Sequence, residues 1–348
     1  MNLPSIETPA LLKFLTELLN TPSPTGFTEQ AIATCEDFLS EWPDLTLSRT
    51  NKGALVAQVP GASDAPWRAL TAHVDTLGAM VKDIKSNGRL KLTKLGGFAW
   101  NTVEGESVTV FTRDGTTVRG TILLNKASSH VYGGDVNKTE RNDDNMEVRL
   151  DAKTTSVKET EALGIGVGDF VAFDPRVEIN HGFVRSRHLD DKACVASLLF
   201  AYKSIKDAGL NLPATTILHI SNYEEVGHGA SAGIPSQVTE LISVDMAAVG
   251  DGQASDEFHA TLCVKDSGGP YHYGLNQRMR ALAEQYKIPY KVDIYPYYGS
   301  DGEAFWRAGG DVAVALIGPG VDASHNYERT HLEAILATTQ WCMAYMLS

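Results

Sequence analysis

The sequence predicts an α/β protein with a mainly parallel sheet flanked by helices, interrupted by an inserted small β-barrel-like domain. Three observations lead there. Helix-period and strand-period segments alternate through the second half of the chain, as they do in βαβ architectures. The stretch from about residue 78 to 181 instead holds short alternating strands separated by NG, DG and GG turns. Finally, 348 residues of which 43% are apolar exceed one small module and suit two domains.

Each element follows from local pattern. Residues 10–39 read as two helices, broken by TPSPTG at 21–26, where two prolines and a glycine cannot continue a helix. LVAQVP from Leu55 and RALTAHVD at 68–75 read as strands. Inside the insert, RLKLTKL, ESVTVFT, TVRGTILL and FVAFD alternate with period two, and GGDVNKTERNDDNMEV from Gly133 reads as an exposed loop. Beyond it, DDKACVASLLFAYKSIKDAG places Val195, Leu198, Leu199, Tyr202 and Ile205 at helical spacing. ATTILHISN, LISVD, KVDIY and VAVALIG follow as strands, with helices at about 276–287 and over the C-terminal HLEAILATTQWCMAYML. The chain therefore divides into a discontinuous α/β domain, 1–77 and 182–348, and a β-insert, 78–181.

Charge and composition narrow the function. Thirty basic against 43 acidic residues leave a net charge of −13, which disfavours a nucleic-acid backbone or an anionic membrane surface as partner. No apolar stretch approaches the roughly 20 residues that span a bilayer. The opening MNLPSIETPALLKFLTELLN has no basic start and carries Glu7 and Glu17, so it reads as a helix rather than a signal peptide. Cys35, Cys194, Cys263 and Cys342 lie too far apart for a metal-type pair or a dense disulfide framework. A cytoplasmic location is expected.

Acidic and imidazole groups gather just after the predicted strands. His73 and Asp75 end RALTAHVD, Glu224 and Glu225 follow ILHISNY, Asp245 ends LISVD, and Asp190 and Asp191 open the long helix. In an open α/β sheet the binding crevice lies outside the carboxyl ends of the strands, where these groups would converge. His73 and Asp75, two apart on a strand, project to one face, as a ligand and its orienting carboxylate do. Helix capping would account for one of Asp190 and Asp191 but not for both. Two adjacent carboxylates after a buried strand are costly without a cation; with one, Glu225 coordinates and Glu224 stays free as a base. Asp245 has an ordinary explanation as a turn residue, and His325 competes with His188, His228 and His331. Taken together, His73, Asp190, Glu225, Asp245 and His325 form a donor set for two divalent cations, zinc above all, with cobalt and manganese also suited. Such a pair generates a nucleophile at neutral pH and clamps a developing oxyanion.

The segments TAHVDTLGAMV, RSRHLDDKACVASLL, SNYEEVGHGAS, ISVDMA and SHNYERTH resemble, in order and spacing, the glutamyl, deblocking or tetrahedral (TET-type) metallo-aminopeptidases of the dinuclear zinc exopeptidase clan. LLNTPSPTGFTE, LGGF, FTRDGTTVRGTI and LDAKTTSVKETEALGIGVGDFVAFDP extend the likeness over essentially the whole chain. The resemblance implies one metal on His73 and Asp245, the other on Glu225 and His325, and Asp190 bridging them. It implies Glu224 as general base, Asp75 orienting His73, and Asp191 in the peptide after the bridge. It also implies removal of N-terminal residues from short peptides through a metal-bridging water, and a homodimer formed by the insert, with dimers in this family often assembling into dodecamers. The chain departs from the common pattern after the glutamate pair, in EEVGHGA, and around the last ligand, in SHNYERTH. A preference for acidic N-termini would call for a basic pocket group, for which Lys126 and Arg329 are candidates. Ser300 and Asp301 are expected near the substrate, and they, Asp191 and His228 have no assigned role.

A carboxypeptidase or deacylase would share the metals but carry a different dimerisation domain. A glycosidase could work with two carboxylates alone, leaving His73 and His325 without a role. A non-catalytic binding protein would have no use for Glu224 as a spare base.

Overall fold

The computed structural model describes residues 2–348. The first helix, Thr8–Asn20, repeats Leu11, Leu15, Leu18 and Leu19 at three- and four-residue spacing, and all four are buried. It ends where Thr21 turns extended, ahead of Pro22 and Pro24. A second helix, Glu29–Leu39, buries Ala31, Ile32, Cys35 and Leu39.

The main sheet has ten strands. Leu212–Ser221, Gly61–His73, Val238–Val244 and Ala313–Val321 lie side by side and pair in parallel. At the margins, Leu55–Val59 and Ala260–Asp266 pair antiparallel with this centre. The sheet is thus parallel where it is most buried and mixed at its edges. Sequence pattern did not separate out Ala260–Asp266 or the exposed edge strand Thr46–Arg49. The first is a short apolar run between turns, and the second has no buried face to create an alternation.

Alternate residues of the central strands enter two cores, as the period of two requires. Leu70, Leu218, Ile242 and Ala315 meet the helices Leu189–Asp207 and Leu332–Met346 on one face. Ala69, Ile217, Leu241 and Val314 meet Phe305 and Trp306 on the other. Leu189–Asp207 is buried nearly all round because it lies between the sheet, Thr8–Asn20 and Leu332–Met346. Full burial of a Leu or Ile side chain stabilises by about 1.5–3 kcal/mol, so these layers hold the sheet edge rigidly.

Between the strands ending at His73 and the helix starting at Leu189, the chain builds a closed six-stranded barrel. Its strands run Gly78–Ile84, Leu90–Leu95, Met146–Leu150, Thr117–Leu124, Ser107–Phe111 and Phe170–Phe173 around the circle. Val81, Leu92, Val110, Ile122, Val148 and Val171 fill it. Closure removes the free strand edges that a small sheet would otherwise expose. The polar stretch expected as an exposed loop from Gly133 lies at the surface over residues 133–145, where it contains one helical turn, Asp135–Lys138, and follows another, Ser129–Tyr132. Its last residues, Met146, Glu147 and Val148, are instead buried in the barrel strand Met146–Leu150. A small sheet of Glu178–Asn180, Phe183–Ser186 and Glu328–His331 then ties the chain after the barrel to the C-terminal segment.

Candidate metal centre

Strand register brings the acidic groups together. Ser221 pairs with His73, so Glu224 and Glu225 emerge beside Asp75. Ser243 pairs with Thr71, which sets Asp245 level with His73 on the next strand. Gly318 permits this packing: a Cβ there would sit 1.8 Å from the Asp245 carbonyl oxygen. Asp190 and Asp191 arrive from the start of the long helix, in non-helical conformations and joined by a cis peptide bond. Their carboxylates face the sheet edge instead of capping the helix. One Asp191 oxygen accepts the His73 backbone N–H at 3.0 Å. Asp190 directs Oδ1 to His73 Nε2 and Oδ2 to His325 Nε2, both at 3.3 Å.

Two sets of donor atoms result, with the atoms of each within 4.8 Å of one another: His73, Asp190, Asp191 and Asp245 in one, Asp190, Glu225 and His325 in the other. Asp190 belongs to both. Glu225 Oε2 is 3.5 Å from His325 Nε2, and Glu224 Oε2 is 3.7 Å from His73 Nε2. The five ligand candidates from the sequence therefore all fall in these two sets, and Asp191 adds a donor atom beyond them.

The surrounding contacts fix these groups. His73 Nδ1 lies 2.9 Å from the Asp75 carbonyl oxygen, an acceptor, so it carries the hydrogen and leaves Nε2 as the free donor atom. The Asp75 carboxylate is 3.5 Å from the same nitrogen. It also accepts the N–H groups of Glu224 at 3.1 Å and Glu225 at 3.3 Å and the Thr25 hydroxyl at 2.7 Å. It thereby pins the turn carrying both glutamates, which Tyr223 (φ 73°) and Gly227 (φ 83°) bracket in left-handed conformations. His325 Nδ1 faces the Gly97 carbonyl, which reaches over from the barrel.

The electrostatics are those of a cation site. Burial pushes the Glu225 carboxyl up to about 8 and Asp245 to about 7, with Asp190 adding repulsion in each case. Burial likewise raises Glu224 well above the ordinary range. Burial opposes the charged form of His73, yet Asp190, Asp75, Glu224 and Asp191 outweigh it and lift the ring well above its usual value. The cluster thus retains protons where a cation would replace them. His73 Nε2 is buried with no hydrogen-bond partner, an arrangement that a metal ion satisfies. The donor set of two imidazoles and several carboxylates fits a divalent ion of borderline softness.

The other histidines serve elsewhere. His188 Nε2 faces the Phe173 carbonyl at 3.3 Å, His228 stacks on Tyr223, and His331 caps the C-terminal helix beside Phe183 and Phe258.

A cavity of about 570 Å³ opens over the cluster. Asp190, Glu224, Glu225, Asp245 and His325 line one side, and Met246, Ser267, Tyr298, Ser300, Glu303 and Arg307 are on its walls. Neither Lys126 nor Arg329 lines it. Lys126 pairs with Asp135 and Arg329 with Glu257, at 3.4 and 2.6 Å. The basic group of the cavity is Arg307, 2.9 Å from Glu303, which the sequence did not single out because it follows no strand. Ser300 lies on the wall, 2.7 Å from the Tyr271 hydroxyl. Asp301 is instead buried behind the glutamate turn, where it accepts the Ala230 N–H at 2.7 Å. Sequence reading also missed Glu328, a buried carboxylate that accepts the N–H groups of Asp190 and His325, each at 3.0 Å.

Fold and relatives together define the class as a peptide hydrolase. The family model described as M42 glutamyl aminopeptidase matches residues 53–340, and the chain belongs to that family. A Bacillus subtilis (strain 168) protein, YhfE, which carries a provisional aminopeptidase name, is 51% identical over 338 residues, 97% of each chain. Among solved structures, a TET aminopeptidase from a marine-sediment thaumarchaeon superposes with a TM-score of 0.88 at 20% identity, over 97% of each chain. The TET1 peptidase of Pyrococcus horikoshii, described as assembling into a tetrahedron or a large octahedral shell, gives 0.84 at 22% identity, over 97% of this chain and 99% of that one.

Proposed function

We propose that this M42 aminopeptidase holds two divalent metal ions, zinc foremost and cobalt or manganese as alternatives, and removes single residues from the free N-terminus of short peptides. His73 and Asp245 would hold one ion, Glu225 and His325 the other, and Asp190 both. The observation that carries the reading is Asp190 between two imidazoles, with Glu224 alongside and outside both donor sets. When bound, the ions would supply Lewis acidity, activating water and polarising the scissile carbonyl.

The protein's own groups account for the rest. Glu224 faces the cavity with a carboxyl whose proton affinity burial has raised, which suits a base that accepts a proton from the attacking water and returns it to the leaving amine. Asp75 holds Glu224 at that position through its backbone N–H. The acidic edge of the cavity favours an amine terminus over a blocked one. The walls at Met246, Tyr298, Glu303 and Arg307 receive the first side chain.

Assembly and location belong to the same proposal. The barrel is the surface through which a homodimer would form, and the TET relatives suggest a homododecamer as the larger assembly, which would admit short peptides. Among the described residues no helix is long and apolar enough to cross a membrane. The four cysteines are free and buried, which suits the cytoplasm.

Paired substrates test the activity. The protein should hydrolyse aminoacyl-p-nitroanilides and leave their N-acetyl derivatives intact. Equal rates on both would remove the exopeptidase reading.

A further inference from the structure

We infer that Glu328 is a positioning residue that sets the affinity of the second metal position, the one built from Glu225 and His325, without touching the ion itself. The inference rests on the two-ion reading above.

Glu328 opens the strand Glu328–His331 and has no exposed surface. Its Oε2 accepts the Asp190 N–H and its Oε1 the His325 N–H, both at 3.0 Å. One carboxylate therefore clamps the backbones of the bridging residue and of a terminal ligand, 135 positions apart in sequence. Only a carboxylate offers two acceptor oxygens in one fork. A glutamine in its place would accept one N–H and turn an N–H₂ donor against the other.

The chemistry of the surroundings makes this choice informative. Glu328 is buried beside Asp190 in an already acidic cluster, where a further negative charge is unfavourable unless its acceptors are needed. Two N–H groups need them.

The two metal positions differ in how much they depend on that clamp. His73 ends a central strand, in register with Ser221 on one side and with its N–H held by Asp191, and its side chain is 2% exposed. Asp245 follows the neighbouring strand, its N–H bonded to the Ile317 carbonyl. His325 lies in a turn instead, with a side chain 39% exposed. Its φ of 62°, like the 58° of Ala323, is a left-handed conformation that residues other than glycine seldom adopt. The Glu328 fork is what ties that turn to Asp190. Removing it should loosen His325 while leaving the sheet-borne position in place.

Calorimetric titration of metal-free full-length protein with Zn²⁺, supported by Co²⁺ absorption spectra, reads the two positions separately. Glu328→Gln should weaken the second ion by about 10- to 100-fold, the usual range for an outer-shell partner, and leave the first within about threefold. Its pattern should match that of His325→Ala. Glu328→Asp, which keeps the charge but is shorter, should fall between Glu328→Gln and the parent. Wild-type affinity for both ions in Glu328→Gln would overturn the inference. So would parallel loss of both ions, or failure to fold, in both the Gln and Asp variants, since that marks a general structural role. A parent protein binding fewer than two ions would instead overturn the two-ion reading.

Discussion

The two carboxylate oxygens of Asp190 face two different imidazoles, Oδ1 toward His73 and Oδ2 toward His325, each 3.3 Å from the Nε2 atom. Side chains 252 positions apart thus share one acidic residue. Burial opposes the charged form of Asp190, yet the two facing imidazoles outweigh it and hold the carboxyl below its usual value. Asp190→Asn would replace one oxygen with an amide that cannot serve both rings. The variant should lose at least one ion per chain by elemental analysis and lose turnover by orders of magnitude. Retention of both ions would show that the two donor sets stand independently.

Glu224→Gln separates base from ligand. The substitution keeps the volume and the backbone bond to Asp75, so the metal content should match the parent. Turnover should fall by about 10²- to 10⁴-fold, the range for a lost general base. His73→Ala should do the reverse at the level of binding, with reduced metal content. An unchanged rate in Glu224→Gln would remove it as the base.

The metal-free protein should lose stability as pH rises. Glu225 titrates near 4.5 when unfolded and near 8 in the fold, and Asp245 moves from 3.8 to about 7. A raised carboxyl binds an extra proton in the folded state, so folding weakens between the two values. His325, raised from 6.5 to about 10, acts with the same sign at higher pH. Asp190 opposes this below its usual 3.8, and buried His188 and His219 oppose it below 6.5. Lys192, lowered by burial to about 7, opposes it above that value, but the raised groups of the cluster outnumber these. Melting curves of the chelated protein should therefore shift downward from pH 5.5 to 8.5, and the gain from Zn²⁺ should grow over that span. A flat or rising melting temperature without metal would contradict this electrostatic picture.

The Glu303–Arg307 pair on the cavity wall should tune the first side chain. Arg307→Ala should move the ratio of kcat/KM values for glutamyl over lysyl anilides toward lysyl, and Glu303→Gln should move it toward glutamyl. Shifts of about three- to tenfold correspond to a partly screened charge worth ~1 kcal/mol. Unchanged ratios with normal metal content would place the first side chain elsewhere.

Much of this site was legible in the sequence because parallel strands deliver their carboxyl ends to one edge. His73, Glu224, Glu225 and Asp245 each follow a strand recognisable from its apolar run, so their convergence follows from topology. The barrel was legible for a similar reason, since period-two runs between turn residues leave little else. Glu328 and Arg307 were not. Glu328 matters through backbone N–H groups contributed by distant loops, and no pattern in a linear chain marks which N–H lacks a partner. Arg307 lies on a short helix, Asp301–Arg307, whose position over the cavity depends on packing against the sheet. Lys126 and Arg329 had equal claims by residue type, and only the fold shows them paired elsewhere.

Activity against bound metal tests the central claim most directly. Metal-free protein, prepared with a chelator, is titrated with Zn²⁺ or Co²⁺ while bound metal and aminoacyl-anilide hydrolysis are followed together. The account predicts no hydrolysis at zero metal and full activity at two ions per chain. Full hydrolysis in the chelated protein, or saturation with no ion bound at His73 and His325, would contradict it.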